Sequence, residues 1–165
     1  MFTAVVRITG AGRLEDFRER LAIWLRSVEE DTGLSPLGRA NIHGDCVRLA
    51  ANRLRVEDAV KRHPEILEIE LERPIIIAGL PRSGTTHLVN LISADSRLRR
   101  LPLWESMEPV PAPGEVVARG EEDPRRSRTQ QFWGQFEALL PLMLAMHEMA
   151  PDHTHEEIEL QQIDF

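Results

Sequence analysis

The stretch RPIIIAGLPRSGTTHLVNLISAD, residues 73–95, constrains the fold of this chain more than any other. Its first part, PIIIAG, is short, β-branched and apolar on both faces, which is typical of a buried parallel strand. A glycine-containing loop follows at Leu80–Gly84, and TTHLVNLISAD then has the apolar spacing of a helix. The order of strand, glycine loop and helix therefore predicts an α/β fold.

The loop closely resembles a phosphate-binding pattern, G-x-x-x-x-G-K-[ST], because Gly79 and Gly84 have the required separation. Thr85 occupies the lysine position, however, and Arg82 supplies a cation two residues before the second glycine. A glycine turn before a helix presents backbone N–H groups and the positive end of the helix dipole, which together bind phosphate. We therefore predict a phosphate site here, with an ordinary glycine turn as the alternative.

Residues 1–72 are predicted to form an N-terminal helical region, and residues 73–165 to begin a second domain. Apolar residues three or four apart indicate a helix from Leu14 to about Val28. A second helix is expected to start at Ser35 and Pro36, because serine caps a helix and proline suits its first turn. The other expectations for the first region are a stop at Gly33, an end of the second helix near Arg53 and a short helix over Val56–Arg62. Residues Leu101–Glu115 are expected to be mostly irregular. A helix is expected over Arg126–Met149, with a kink at Pro141, and another is expected to start near Thr154 in a capping box with Glu157.

Only one convincing strand is present, with a weak candidate at Ala4–Ile8. A lone buried strand cannot satisfy its backbone hydrogen-bonding groups in an apolar interior. We therefore expect the chain to be the N-terminal part of a longer α/β protein. The alternative is a complete, mostly helical domain in which the strand pairs with Ala4–Ile8.

Composition excludes several classes of function. A net charge of −7 disfavours a general nucleic-acid partner. Cys46 is the single cysteine, so no disulfide framework is possible and a reduced, cytoplasmic setting is expected. The apolar stretch Ala138–Met146 is too short to span a bilayer.

The loop sequence PRSGTT after an apolar strand resembles the 5′-phosphosulfate loop of sulfotransferases that use 3′-phosphoadenosine 5′-phosphosulfate (PAPS). The flanking sequences HPEILEIELERPIIIAG and LPLWESMEPVPAP are similar to the bacterial branch of that family, which carries an N-terminal helical extension. The resemblance implies a P-loop-like three-layer sulfotransferase fold of the α/β class, truncated in this chain and preceded by a helical region.

The same resemblance implies the roles of the loop residues. Backbone groups of Ser83, Gly84 and Thr85, with the hydroxyls of Thr85 and Thr86, would hold the 5′-phosphate, and Arg82 would stabilise charge on the oxygen that bridges phosphate and sulfate. PAPS is the implied co-substrate, and no metal is expected. The arginine and serine that the family uses for the 3′-phosphate are not recognisable before Phe165, so we expect weak PAPS binding.

The acceptor must lose a proton, which calls for a general base. Some sulfotransferases use a glutamate about 20 residues after the loop, and Glu105 stands there beside Trp104, an apolar neighbour expected to raise its pKa. Glu108 is the nearby substitute, and His147 or His153 is the alternative. The dense PDHTHEE segment lacks a metal-ligand spacing and is expected to be a solvated helix start.

The expected acceptor is a small molecule, a lipid or a carbohydrate. The sequence also allows two other functions. The first is a P-loop nucleotide kinase or triphosphatase, which Thr85 in the lysine position disfavours. The second is a non-catalytic helical interaction fragment.

Overall fold

The structure, a computed structural model, describes residues 14–115, 117–118 and 120–164. The chain divides into two compact units. One extends to Glu70 and includes the residues from Gln161 onward, and the other is Leu71–Leu160. The weak strand candidate at Ala4–Ile8 lies outside the described residues.

Two long helices form most of the first unit. Helix α1 spans Leu14–Glu30, helix α2 spans Pro36–Arg62, and short 3-10 helices span Pro64–Glu68 and Gln162–Asp164. The predicted start of α2 is confirmed, since the Ser35 hydroxyl accepts the Gly38 N–H at 3.0 Å. The prediction that the second helix ends near Arg53 and that a separate short helix covers Val56–Arg62 is wrong, because α2 continues without a break to Arg62. No glycine or proline occurs between residues 45 and 62, so nothing ends the helix near Arg53.

The buried face of α2 carries Cys46, Leu49 and Asn52, which are spaced three residues apart. The terminal 3-10 turn is held in the same unit by two arginines. Arg20 donates to the Asp164 carbonyl at 2.8 Å and pairs with its carboxylate at 2.9 Å, and Arg53 pairs with the same carboxylate. Charge pairing therefore fixes a segment that buries little apolar surface.

The described part of the second unit contains four helices. A fifth helix, α7 (Ile158–Gln161), includes the last residues of this unit and the first residue of the segment that returns to the first unit. They are α3 at Thr85–Ser93, α4 at Leu103–Met107, α5 at Pro124–Leu139, α6 at Pro141–Met146 and α7 at Ile158–Gln161. The break between α5 and α6 falls at Leu140, which confirms the predicted interruption at Pro141. No helix in the described part of the chain is long and apolar enough to cross a membrane.

The prediction that residues 74–79 form a paired strand is wrong. Across residues 14–115, 117–118 and 120–164 the structure contains no sheet, and its β-type pairing is a single bridge between Pro102 and Thr154. The described chain is therefore mostly helical and does not display the three-layer α/β arrangement. The physical reason is that a strand forms only against a neighbouring strand, and the described residues offer none to 74–79.

Helix α4 forms the buried centre of the second unit, although its sequence was expected to be irregular. Leu103 and Ser106 are fully buried and Met107 is nearly so. The first amides of a helix have no partner within it. Here the Leu103 N–H donates to the His153 carbonyl at 2.9 Å, and the Trp104 N–H donates to the Pro151 carbonyl at 3.2 Å.

Two arginines of α5 anchor the proline-rich loop, residues 108–115, and the 150s segment, residues 150–157. Arg128 forms a two-pronged contact with the Glu108 carboxylate and a further ion pair with Glu115. Arg126 makes the equivalent contact with Asp152. These contacts raise the pKa of both guanidinium groups and lower the pKa of Asp152 and Glu115.

We predict that Ser35→Ala lowers the free energy of unfolding by about 1 kcal/mol, because α2 loses the side-chain acceptor at its first turn. Urea unfolding followed by far-ultraviolet circular dichroism measures the change. Ser27→Ala is the matched control, since the Ser27 hydroxyl is exposed within α1 and donates only to the Ile23 carbonyl. Equal losses in the two variants would contradict a capping role for Ser35.

Candidate functional site

The glycine loop is a closed turn in front of α3. The Ser83 N–H and the Ser83 hydroxyl both donate to the Leu80 carbonyl, at 3.1 and 2.6 Å. Arg82 has φ 64° and Gly84 has φ 92°, so both adopt the left-handed conformation. Glycine adopts it without cost, whereas arginine is held there only because the closed turn requires it.

The beginning of α3 exposes a set of unpaired N–H donors. The first backbone bond into the helix runs from Leu88 N–H to the Gly84 carbonyl at 3.0 Å. The amides from Gly84 to His87 donate to no residue in the part of the chain that the structure describes. Such donors and the positive helix end favour an anion. This arrangement can therefore bind a phosphate through the backbone.

Gly79 is required because the side chains of Ser83 and Thr85 approach its Cα closely. A Cβ atom at this position would lie 2.8 Å from the Ser83 Oγ and 2.8 Å from the Thr85 Cγ2, which is closer than atoms of that kind normally come. Gly84 has open space at the corresponding position, so its requirement is the left-handed backbone alone. The two glycines of the motif thus serve different physical needs.

A carboxylate contacts the loop from the 150s segment. The Thr86 hydroxyl donates to Glu156 Oε1 at 3.3 Å. Asn90, one turn further along α3, donates to the Thr86 carbonyl at 2.9 Å and to the Thr154 carbonyl at 3.0 Å, and accepts the Thr154 N–H at 2.8 Å. The spacing to Glu157 had predicted that Thr154 caps the following helix. That prediction is wrong, because α7 begins only at Ile158.

Sequence reasoning missed both Asn90 and Glu156. A signal for Asn90 was available, because it stands four residues after Thr86 and must share a helix face with it. No sequence signal pointed to Glu156, since its contact with Thr86 joins residues 70 positions apart.

The Arg82 side chain is exposed and makes no hydrogen bond or ion pair with any described residue. Its left-handed backbone places this cation within the turn itself. A free guanidinium presents several donors in a fixed plane, which suits a bridging or terminal oxygen of a phosphate-like group. It is therefore available to an anionic ligand without first breaking an internal ion pair.

Glu105 lies in the first turn of α4 and is three-quarters buried. Its carboxylate pairs with Arg99 and makes no hydrogen bond or ion pair with residues 79–87. The Trp104 ring instead packs under the Arg125 guanidinium, whose carbon is 4.8 Å from the ring centroid. Glu108, the substitute base, binds Arg128 through both oxygens. The structure thus brings together the loop residues but not the loop and Glu105.

The histidines of the 147–155 segment lie outside the helices. His153 Nε2 is 3.6 Å from the Glu148 carboxylate, and the His147 and His155 rings meet edge to face with centroids 6.0 Å apart. Burial lowers the pKa of His155, which favours its neutral form. Among the described residues, no group of three or more histidine, cysteine, aspartate or glutamate side chains could hold a metal ion.

Comparisons with known proteins identify the family of this chain. The model of a sulfotransferase family matches residues 74–165, which is more than half of the chain. The crystal structure of sulfotransferase STF1 from Mycobacterium tuberculosis H37Rv is similar, with a TM-score of 0.62 and 25% sequence identity over 91% of this chain. The chain spans 41% of that structure's length. Comparison with curated proteins gave no match. The chain therefore belongs to the sulfotransferase family.

Proposed function

We propose that this chain binds the 5′ end of PAPS and contributes to sulfuryl transfer from PAPS to a hydroxyl or amine of a small-molecule, lipid or carbohydrate acceptor. One observation carries the proposal. In a member of the sulfotransferase family, a closed turn with an exposed arginine stands before a helix, and the four amides from Gly84 to His87 have no partner among the described residues. That combination fits a phosphosulfate group.

The 5′-phosphate would be held by the amides of Gly84, Thr85 and Thr86 and by the two threonine hydroxyls. Ser83 was expected to donate its backbone N–H as well. Both its donors are engaged with the Leu80 carbonyl, so we assign Ser83 to closing the turn around the ligand. The first-turn amides then supply the binding energy, because they gain hydrogen bonds that they otherwise make only with water.

In the transfer step the acceptor oxygen or nitrogen forms a bond to sulfur, and the sulfur–oxygen bond to the phosphate breaks. The leaving group is adenosine 3′,5′-bisphosphate (called the bisphosphate), whose 5′-phosphate takes the electron pair of the broken bond. Arg82 stabilises the negative charge that develops on that oxygen, which is the main task in reactions of this type. The acceptor proton passes to a carboxylate, for which we keep Glu105.

For Glu105 to act as this base, it must exchange its partner. Its carboxylate is paired with Arg99, so an acceptor hydroxyl must displace or share that arginine. The role of Arg99 would then be to hold the carboxylate in place until the acceptor arrives.

Glu156 opposes the ligand electrostatically. It places a carboxylate on the Thr86 hydroxyl, which the 5′-phosphate would use. Two anions cannot share this donor, so phosphate binding requires Glu156 to move away. The contact thus satisfies the hydroxyl when no nucleotide is bound and reduces the affinity for nucleotide.

The proposal is tested by thermal unfolding with 3′,5′-bisphosphate at millimolar concentration without metal, and separately with ATP and magnesium. We expect the bisphosphate to raise Tm, because a ligand at ten times its Kd adds about 1.4 kcal/mol of stability. Arg82→Met should abolish the shift without lowering the Tm of the free chain. Arg97→Met is the control, since Arg97 pairs only with Asp95 at the surface. A shift with ATP alone would overturn the proposal in favour of a kinase or triphosphatase.

Gly79→Ala is expected to lower bisphosphate affinity on the order of tenfold, because the new methyl group would push against Ser83 and Thr85 and distort the turn. Calorimetric titration measures the affinity. Gly134→Ala is the control, since a Cβ there meets nothing within 4 Å. That variant should bind normally and gain about 0.5–1 kcal/mol of stability in the helix interior. Normal binding by Gly79→Ala would contradict the role of the closed turn.

Glu156→Gln is expected to raise bisphosphate affinity about threefold to tenfold, because it removes a charge from the phosphate position while keeping a hydrogen-bond acceptor. The gain should shrink as salt concentration rises. Glu157→Gln, a change of the same charge at the next residue, is the control. Equal gains in the two variants would show that only net charge matters.

A further inference from the structure

Three histidines lie close together outside the helices, and the proposed transfer step uses none of them. The rings of His147 and His155, called the histidine pair, meet edge to face with centroids 6.0 Å apart. The His147 Nδ1 atom is buried and has no hydrogen-bond partner among the described residues. The third, His153, has its Nε2 atom 3.6 Å from the Glu148 carboxylate. A proton on His147 Nδ1 would bury a charge without an acceptor, and protons on both rings of the pair would place like charges side by side.

The surroundings of His155 disfavour its protonated form. Burial is the largest effect and lowers the pKa of the ring below its ordinary value of 6.5. Glu159 and Glu156 attract a proton to the ring, whereas His147 and His153 repel it. Since the folded-state pKa is below the unfolded-state value, the stability is fully present above about pH 6.5 and is lost as the pH falls below it.

The other charged groups around the pair do not compensate such a proton. Asp152 pairs with Arg126 and has its pKa lowered further by Arg100, and Arg99 pairs with the carboxylate of α4. Helices α3 and α6 carry no charged or titratable side chain except His87. The histidine pair is therefore the part of this region that responds to mild acid.

Few bonds hold the segment 153–156, which carries one ring of the pair. The His155 N–H donates to the Leu101 carbonyl at 2.9 Å. Two hydrogen bonds join the backbone of Thr154 to the asparagine of α3. The Glu156 carboxylate accepts the threonine hydroxyl in the first turn of α3 at 3.3 Å. Movement of this segment would therefore also withdraw the carboxylate from the start of α3.

We propose that the histidine pair is an acid-sensitive latch on the glycine loop. When the pair takes up protons, residues 153–156 separate from Leu101 and from α3, and Glu156 leaves the Thr86 hydroxyl. An anion can then bind at that hydroxyl. The link to anion binding rests on the proposed function, whereas the release of the segment does not.

Hydrogen–deuterium exchange tests the release on the full chain. The protection factors of the Thr154 and His155 amides, corrected for the intrinsic pH dependence of exchange, are measured between about pH 7.5 and about pH 5.5, on either side of the ordinary histidine pKa. We expect them to fall at least about threefold across this range. Constant protection in the unsubstituted chain would overturn the latch.

Matched variants assign the effect to the pair. His155→Phe keeps an aromatic ring that cannot take up a proton, so its protection should not change with pH. His147→Phe removes the second charge and should reduce the pH dependence, which gives an independent reading if His155→Phe does not fold. His43→Phe, at an exposed position of α2, is the control and should behave like the unsubstituted chain. An equal fall in all three variants would overturn the role of the pair.

Titration with sulfate tests the consequence for the loop, because the charge of sulfate does not change over this pH range. We expect sulfate to bind about threefold more tightly at the lower pH, and this gain should be lost in His155→Phe. Glu156→Gln should bind with the higher affinity at both pH values, since no carboxylate remains to be withdrawn. A gain that persists in His155→Phe would overturn the coupling between latch and loop. Absence of sulfate binding at every pH would count against the proposed function, and the exchange measurement would then decide the latch alone.

Discussion

The amide of Asn90 binds both the N–H and the carbonyl of Thr154, and the organisation of the second unit depends on this pair of bonds. It fixes the 150s segment to the helix that follows the glycine loop. The same segment supplies the carbonyls that receive the first amides of α4, through His153 and Pro151. One side chain thus connects two helices without any sheet between them, because it satisfies backbone groups that would otherwise be buried unpaired.

This connection also determines the electrostatics of the candidate site. Since Thr154 is held against α3, Glu156 lies within hydrogen-bonding distance of the Thr86 hydroxyl. The loop carries an exposed cation in Arg82, and the start of the following helix has a carboxylate in contact with Thr86. A carboxylate at this position repels an anion that approaches the same hydroxyl.

The helices were predicted best where local chemistry decides them. Ser35 caps α2 and Pro141 divides α5 from α6, because capping and the loss of an N–H act over a few residues. The strand over 74–79 was predicted from the same kind of pattern, yet it has no pairing here, since a strand needs a partner that its own sequence does not contain. Helix α4 was missed because its residues are helical through burial and because its first N–H groups donate to the carbonyls of His153 and Pro151, which are remote in sequence.

By itself the sequence determined that a glycine turn precedes a helix, that Arg82 stands two residues before the second glycine while Thr85 occupies the lysine position, and that the chain resembles sulfotransferases. These are properties of neighbouring residues, and backbone sterics and helix ends fix them locally. Only the tertiary structure decided that Ser83 closes the turn, that Glu105 is held by Arg99 and that Glu156 reaches Thr86. The last of these contacts joins residues far apart in the chain, and the direction of each side chain depends on packing that no local pattern encodes.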